Sequence, residues 1–315
     1  MANQQNTYSE WLSYVERVTR AVDSGRSIAL GPSSAPPVPP AIAEQRPEGA
    51  KVVYCSPHPD DESLGGAFAL RLCMEAGARV TNVAITLGSD LTQRDRRRRE
   101  LTSACKVLGF DLIIPTEPAT GAASGFDHIT LESRRENSEA WAARVRVLGD
   151  IFAREQPEAV FMPHSDDFND THIGTHYLAF DALDQYLSMR PRASVLVIEC
   201  EFWHEMADPN LMVGITAEQA ALQMTAATEH GGEMSRMPYH LLHPCRMMNN
   251  VRRGSEVVGG QGAGVQPFTF AELQRVSFRH GHERVERPAE GRILPPSETA
   301  TLDWLRQKFG LEASE

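Results

Sequence analysis

The chain has 315 residues, 41% of them hydrophobic, and a net charge of −11. That is enough apolar material for one large or two small packed domains, while the acidic balance argues against nucleic-acid binding, which needs a basic surface. No apolar run reaches membrane-spanning length, and Met1-Ala2-Asn3-Gln4-Gln5 has neither the basic segment nor the apolar core of a signal peptide, so no membrane partner and a cytoplasmic location are expected.

Tyr8–Val22 places Trp11, Leu12, Val15, Val18 and Val22 at helical spacing. This helix could pack on the rest of the chain or on another copy, which leaves a homo-oligomer open. Ser27–Gly49 follows, with six prolines and little periodicity, and reads as a linker or strap. Residues 1–48 are thus set apart from 49–315. From Lys51 strands and helices alternate. Strands are expected at Lys51–Cys55, Arg79–Thr86, Asp111–Pro115, Ala159–Met162 and Ser194–Glu199. Helices are expected at Ser63–Ala76, Thr92–Leu108, within Ile129–Glu155 and at Ile173–Met189. That order predicts an α/β fold, a Rossmann-like, mostly parallel sheet with helices on both faces. No Gly-x-Gly-x-x-Gly follows the first strand, which weakens a dinucleotide reading.

Beyond about residue 201 the pattern is less regular, a smaller α+β portion. Thr216–Glu229 is a helix opened by Thr216 with Glu218 and Gln219 in its first turn. Arg252–Gln266 is glycine-rich and reads as a mobile loop. A last helix is expected within Pro295–Phe309, capped by Ser297 or Thr299. The five cysteines show no Cys-x-x-Cys spacing and read as thiols of a reducing compartment.

The chemistry gathers at two strand-to-helix turns. The first is Ser56-Pro57-His58-Pro59-Asp60-Asp61-Glu62-Ser63-Leu64-Gly65-Gly66. His58 and Asp61, three apart across a turn, can grip one metal ion, and imidazole plus carboxylate suits Zn²⁺ or another divalent first-row metal. Asp60 is left free to act on water. Carboxylates at a helix N-terminus are also favourable without any function. The second turn runs from His164 through Asp166, Asp167, Asn169 and Asp170 to His172 and His176, after another strand. Two ligands from the first turn and one from the second would leave an open position, as in a catalytic zinc site.

The first turn closely resembles the His-Pro-Asp-Asp-Glu signature of the PIG-L (LmbE-like) zinc-dependent N-deacetylases. That resemblance implies His58 and Asp61 as zinc ligands and Asp60 as general base. Asn169-Asp170-Thr171-His172 is similar to the family's second motif, which implies His172 as the third ligand. That motif usually begins with a histidine that helps hold the oxyanion, and here Asn169 stands in its place. His164, first in the same loop, is expected to take that role, with Asn169 as the alternative donor. Arg97-Arg98-Arg99-Glu100 resembles the family's Arg-x-x-Glu helix, which implies substrate contact by Arg97; a solvated helix face is the alternative, above all for Arg98 and Arg99. Asp127 and Asp167 could accept bonds from sugar hydroxyls or be solvated loop charges. His176 is expected beside the site rather than as a fourth ligand, and His240, His243, His280 and His282 in surface or hydrogen-bonding roles.

The expectation is a cytoplasmic hydrolase that removes the acetyl group from an N-acetylated amino sugar, or a small glycoside or conjugate of one. Two alternatives stand: an amidase on a thiol conjugate or antibiotic intermediate using the same metal, and a non-catalytic sugar-binding protein on the same fold.

Overall fold

The computed structural model of the chain describes residues 7–32, 49–281 and 284–311. Helix α1 (Thr7–Gly25) has the expected amphipathic pattern but buries none of its residues, and Trp11, Leu12, Val15 and Val18 are exposed. Most of the proline-rich stretch, and His282, lie outside the described residues. The α/β alternation then follows: β1 (Lys51–Ser56), α2 (Asp61–Leu64), α3 (Ala67–Ala76), β2 (Arg79–Ala84), α4 (Arg94–Leu108), β3 (Asp111–Ile113), α5 (Leu131–Glu136), α6 (Ser138–Glu155), β4 (Ala159–Pro163), α7 (Asp170–Ser188) and β5 (Ser194–Cys200). After it come β6 (Leu211–Ile215), α8 (Ala217–Glu229), α9 (Gly231–Arg236), α10 (Tyr239–Val257), β7 (Phe270–His280), β8 (Arg284–Glu286), β9 (Arg292–Leu294) and α11 (Leu302–Phe309).

The strands form one sheet in the order β3-β2-β1-β4-β5-β7-β6-β9, with β8 on β7. The first five pair in parallel; β7 runs antiparallel to both β5 and β6, so the C-terminal part extends the same sheet. Parallel strands are covered on both faces and therefore read as continuous apolar runs. β1 shows the division: Val52 and Tyr54 join the core under α3, α4, α8 and α11, and Val53 and Cys55 join the core under α6 and α7.

Several boundaries differ from expectation, each with a local cause. The helix expected over Ser63–Ala76 breaks at Gly65–Gly66, where a Cβ would meet the Phe202 ring at 2.7 Å and the Glu62 carbonyl oxygen at 2.1 Å. Helix α3 restarts because the buried Glu272 carboxylate accepts the amides of Ala67 and Phe68 at 2.9 and 3.0 Å, capping it from a distant strand. Ile129–Glu155 holds two helices, divided at Asn137. The glycine-rich Arg252–Gln266 is helical as far as Val257. The last helix starts at Leu302, with Thr301 rather than Ser297 or Thr299 as its cap. Arg71 and Glu75 of α3 bind the Glu298 carbonyl and the Ala300 amide, so the preceding segment is strapped to α3 instead of coiling. The capping box of Thr216 and Gln219 forms as read. Among the described residues, no helix is long and apolar enough to cross a membrane.

Candidate active site

β1 leads on to β2 on one side of the sheet, while its other neighbour β4 leads on to β5. A crevice opens at such a switch point, outside the carboxyl ends of the strands. This brings together two turns whose histidines lie 114 residues apart.

In the first turn the His58 amide donates to Asp61 Oδ2 at 2.8 Å, and the Asp60 carbonyl accepts from Ser63 and Leu64. Asp60 has φ 119°, left-handed territory that costs a non-glycine residue roughly 1–3 kcal/mol. What holds it there is Glu62, whose Oε2 accepts the Asp60 amide at 3.0 Å. Glu62 is itself fully buried, and its Oε1 lies 2.9 Å from Ser63 Oγ and 2.7 Å from His230 Nε2. In the second turn Asn169 caps α7, its Oδ1 accepting the amides of Thr171 and His172 at 2.9 and 3.4 Å. Asp167 braces the loop by accepting the amides of Asn169 and Trp203 at 2.9 and 3.1 Å.

These turns set three ligand atoms in a tight triangle. His58 Nδ1 to His172 Nε2 is 3.2 Å, His172 Nε2 to Asp61 Oδ2 is 3.2 Å, and His58 Nδ1 to Asp61 Oδ2 is 3.4 Å. A tetrahedral zinc with ligand bonds of about 2.0–2.1 Å requires edges of about 3.3–3.4 Å. The donor set and its spacing therefore fit a small divalent ion, with one face left for water or substrate. Behind His172, Asp167 Oδ1 stands 3.6 Å from Nδ1, the carboxylate-behind-imidazole arrangement that orients metal ligands. Burial opposes charge at both Asp61 and His172, yet their attraction outweighs it: Asp61 is held well below the usual carboxylate range, and Asp61 with Asp167 pushes His172 up to about 10. Burial and the adjacent Asp61 push the Asp60 carboxyl well above its ordinary value, as suits a base.

The triangle borders a cavity of about 980 Å³, at the upper end of the usual range for small-molecule sites. His58, Asp60, Asp61, Arg97, Asp127 and Asn169 all line it. Arg97 is not free there, because its guanidinium is paired with Glu233, and Asp127 is likewise paired with Arg94. Gly88, with φ +86°, permits the close approach of Arg97, whose Nη1 would lie 2.2 Å from a Cβ at that position. Arg98 turns away to the Ala123 carbonyl.

Two expectations do not fit this geometry. His164 is fully buried, with Nε2 2.9 Å from the His204 carbonyl and Nδ1 accepting the Asp166 amide at 3.3 Å. Both ring nitrogens are thus committed, and His164 does not line the cavity, whereas Asn169 does. Asp167 is buried behind His172 rather than on the cavity wall, with its Oδ1 facing the His172 Nδ1. His176 sits beside the site as read, its Nδ1 3.0 Å from the Pro163 carbonyl. His240 and His243 are buried, not on the surface. Sequence reading also passes over Glu233, His230, Phe202, Trp203, Tyr239 and Arg246. All follow β5 in the irregular C-terminal part: Phe202 and Trp203 come from the loop just after that strand, and the others from α9, α10 and the residue before α9. The one available signal was His243 and Arg246 at i, i+3 on a single helix.

Comparison with known proteins agrees with this picture. The model of the PIG-L family, described as GlcNAc-PI de-N-acetylase, matches residues 53–183. No curated protein matches the chain. Among solved structures, the conserved protein TT1542 from Thermus thermophilus superposes with a TM-score of 0.53 at 18% identity, covering 71% of this chain and 93% of its own. GalB, the 4-carboxy-2-hydroxymuconate hydratase from Pseudomonas putida, gives 0.51 at 18% identity, covering 72% and 95%. Dbv21, the A40926 pseudoaglycone deacetylase, gives 0.52 at 14% identity, covering 75% and 100%. At these identities the likeness is one of fold, and the fold alone does not choose between a hydratase and a deacetylase. The His-Pro-Asp-Asp-Glu turn, His172 on α7 and the match to the PIG-L family model all lie within one segment, residues 53–183.

Proposed function

We propose that this chain is a metal-dependent N-deacetylase that acts on an N-acetylated amino sugar of the N-acetylglucosamine type, or on a small glycoside or conjugate of one. The observation that carries this reading is the His58–Asp61–His172 triangle beside Asp60, at the edge of a large cavity. The amide and sugar character is supported by the family's description as a GlcNAc-PI de-N-acetylase, and by a deacetylase among the solved structures of the same fold. Zn²⁺ suits the donor set best, and other divalent first-row ions suit it too. Four of the five cysteines are buried and free, which fits a reducing compartment, and we place the chain in the cytoplasm.

His58, Asp61 and His172 would hold the ion, which when bound supplies Lewis acidity towards a carbonyl oxygen and towards water. Asp60 takes a proton from the attacking water and later delivers it to the leaving amine. Asp60, its left-handed backbone tied by Glu62, lines the cavity without being one of the three residues of the ligand triangle. Asn169 has its Oδ1 committed to the α7 amides, which leaves its Nδ2 to donate to the oxygen that gains charge. Asp127 and Arg97, paired with Arg94 and Glu233, form a polar wall of fixed charges suited to sugar hydroxyls.

The test is metal analysis coupled to acetate release from a panel of N-acetyl amino sugars, their glycosides and N-acetylated thiol conjugates. About one ion per chain is expected, lost in His172→Ala. Asp60→Asn should keep the ion and lose roughly 10²–10⁴-fold in activity, as for removal of a general base. Ion loss in Asp60→Asn would exchange the roles of the two aspartates. A metal-loaded chain that binds these sugars but releases no acetate would be a binding protein.

A further inference from the structure

Five arginines line the cavity: Arg94, Arg96, Arg97, Arg236 and Arg246. Four have a carboxylate partner. Arg94 pairs with Asp127, Arg96 with Glu100, and Arg97 and Arg236 share Glu233. Among the described residues, Arg246 has no carboxylate within ion-pair distance, and its Nη2 donates instead to the Glu201 backbone carbonyl at 2.6 Å. The acids around it are already engaged. The Glu201 carboxylate takes the Arg253 guanidinium and the Met206 amide. Glu272 takes the Ala67 and Phe68 amides and the side chains of Gln223 and Gln274. In a chain of net charge −11, a half-buried guanidinium without a counter-ion in the cavity wall is an unmet demand for one.

A second, independent feature lies one turn earlier on the same face of α10. His243 is 6% exposed, and its Nε2 has no hydrogen-bond partner. A buried polar nitrogen left unpaired is costly unless something comes to meet it. Burial, aided by Arg246, pushes the His243 imidazole down to about 3, so the ring is neutral and can offer one N–H. His243 and Arg246 both line the main cavity beside Leu64 and Phe202. Phe202 in turn packs edge-on against the His172 ring, with centroids 4.9 Å apart. The pair therefore flanks the candidate metal site.

We propose that Arg246 and His243 form an anion subsite for the substrate, so that the preferred N-acetylated compound carries a carboxylate or phosphate beside its amino-sugar ring. This rests on the deacetylase reading and narrows its substrate class. The guanidinium presents a planar fork that matches either group, and the neutral imidazole adds one donor without adding charge.

The test compares N-acetylglucosamine with N-acetylmuramic acid, which adds a carboxylate, and with N-acetylglucosamine 6-phosphate, in wild type, Arg246→Gln and Arg246→Lys. Wild type should favour an anionic sugar in kcat/KM by about 10–100-fold, the worth of a hydrogen bond to a charged group. The favoured sugar tells carboxylate from phosphate. In Arg246→Gln that ratio should fall towards one through KM, and Arg246→Lys should keep part of it. Equal kcat/KM for neutral and anionic sugars in wild type, or a ratio unchanged in Arg246→Gln, overturns the subsite while the deacetylase reading stands. Calorimetric binding of the same sugars separates the opposite case. Anion-selective binding lost in Arg246→Gln, with no acetate released by any form, would leave the subsite standing and remove the reading it rests on. Melting temperatures of both variants check that each is folded.

Discussion

Replacing Gly174 by alanine sets two opposite effects against each other, and the structure says which one wins. Gly174 lies in α7, two residues past His172, where the helix crosses the loop ahead of α5. An added Cβ would stand 2.4 Å from the Ile129 carbonyl oxygen, 2.6 Å from its carbon and 2.7 Å from Thr130 Cα. All three are backbone atoms, so no side chain can swing aside. Reaching an ordinary contact requires α7 to move off the loop by roughly 0.6–1 Å, and overpacking of this kind costs about 1–3 kcal/mol. Alanine in place of a mid-helix glycine returns about 1 kcal/mol in propensity. Three rigid contacts under 3.0 Å put the cost in the upper part of that range, about 2–3 kcal/mol, so the net expectation is a loss of about 1–2 kcal/mol, or a melting temperature lower by roughly 2–6 °C for a chain of this size. The same shift carries His172 away from His58 and Asp61, whose ligand atoms now lie 3.2 Å from its Nε2. Zinc affinity should fall by about 10–100-fold, the usual effect of disturbing what orients a ligand. Gly149→Ala is the control. It is also a helical glycine, but its new Cβ would meet the Gln185 side-chain amide at 2.8 Å, and that flexible end can move. This variant should gain up to about 1 kcal/mol. Thermal melts and a competitive zinc titration of both variants decide the matter. If Gly174→Ala melts no lower than wild type, or binds zinc equally well, the backbone contact does not position His172.

Two further predictions bear on the correction at the second turn and on acid stability. Asn169→Ala should lower kcat by ~10²–10³-fold with the ion retained, the usual cost of a lost oxyanion donor, whereas His164→Ala should chiefly lower the melting temperature; steady-state kinetics showing the reverse would restore His164 to the reaction. His243 is depressed in the folded chain to about 3, so the unfolded chain, titrating near 6.5, takes up its proton first. The stability linked to this group is complete above about pH 6.5 and is lost as pH falls, by up to about 1.4 kcal/mol per pH unit towards pH 3. Urea melts between pH 7 and 4 should show a shallower acid loss in His243→Gln than in wild type, and parallel curves would mean that the imidazole charges freely in the folded chain.

The two turns of the candidate site were legible because their chemistry is local. Continuous apolar runs mark parallel strands buried on both faces, and a His-Pro-Asp-Asp cluster just after one must lie at a strand's carboxyl end. His58 and Asp61 could therefore be read as candidate ligands from their spacing, and His172 from the resemblance of its motif, before their atoms were seen to meet. Tertiary contacts decided what local pattern cannot carry. Glu272, from a strand two hundred residues away, caps α3 and divides a helix that reads as continuous. Glu62 and His230 hold Asp60 in a conformation that its own side chain does not favour. Sequence favours His164 over Asn169 as the donor, and only the engagement of both His164 nitrogens turns the choice towards Asn169. In the arginine run of α4, Arg97 reads as a substrate contact until Glu233, from α9, is seen to pair with it. Among the described residues, the cavity arginine left without a carboxylate is instead Arg246, in a helix with no motif. An arginine's charge is evident from its letter alone, but its availability depends on which carboxylates the fold brings within reach, and that is decided by the packing of distant segments.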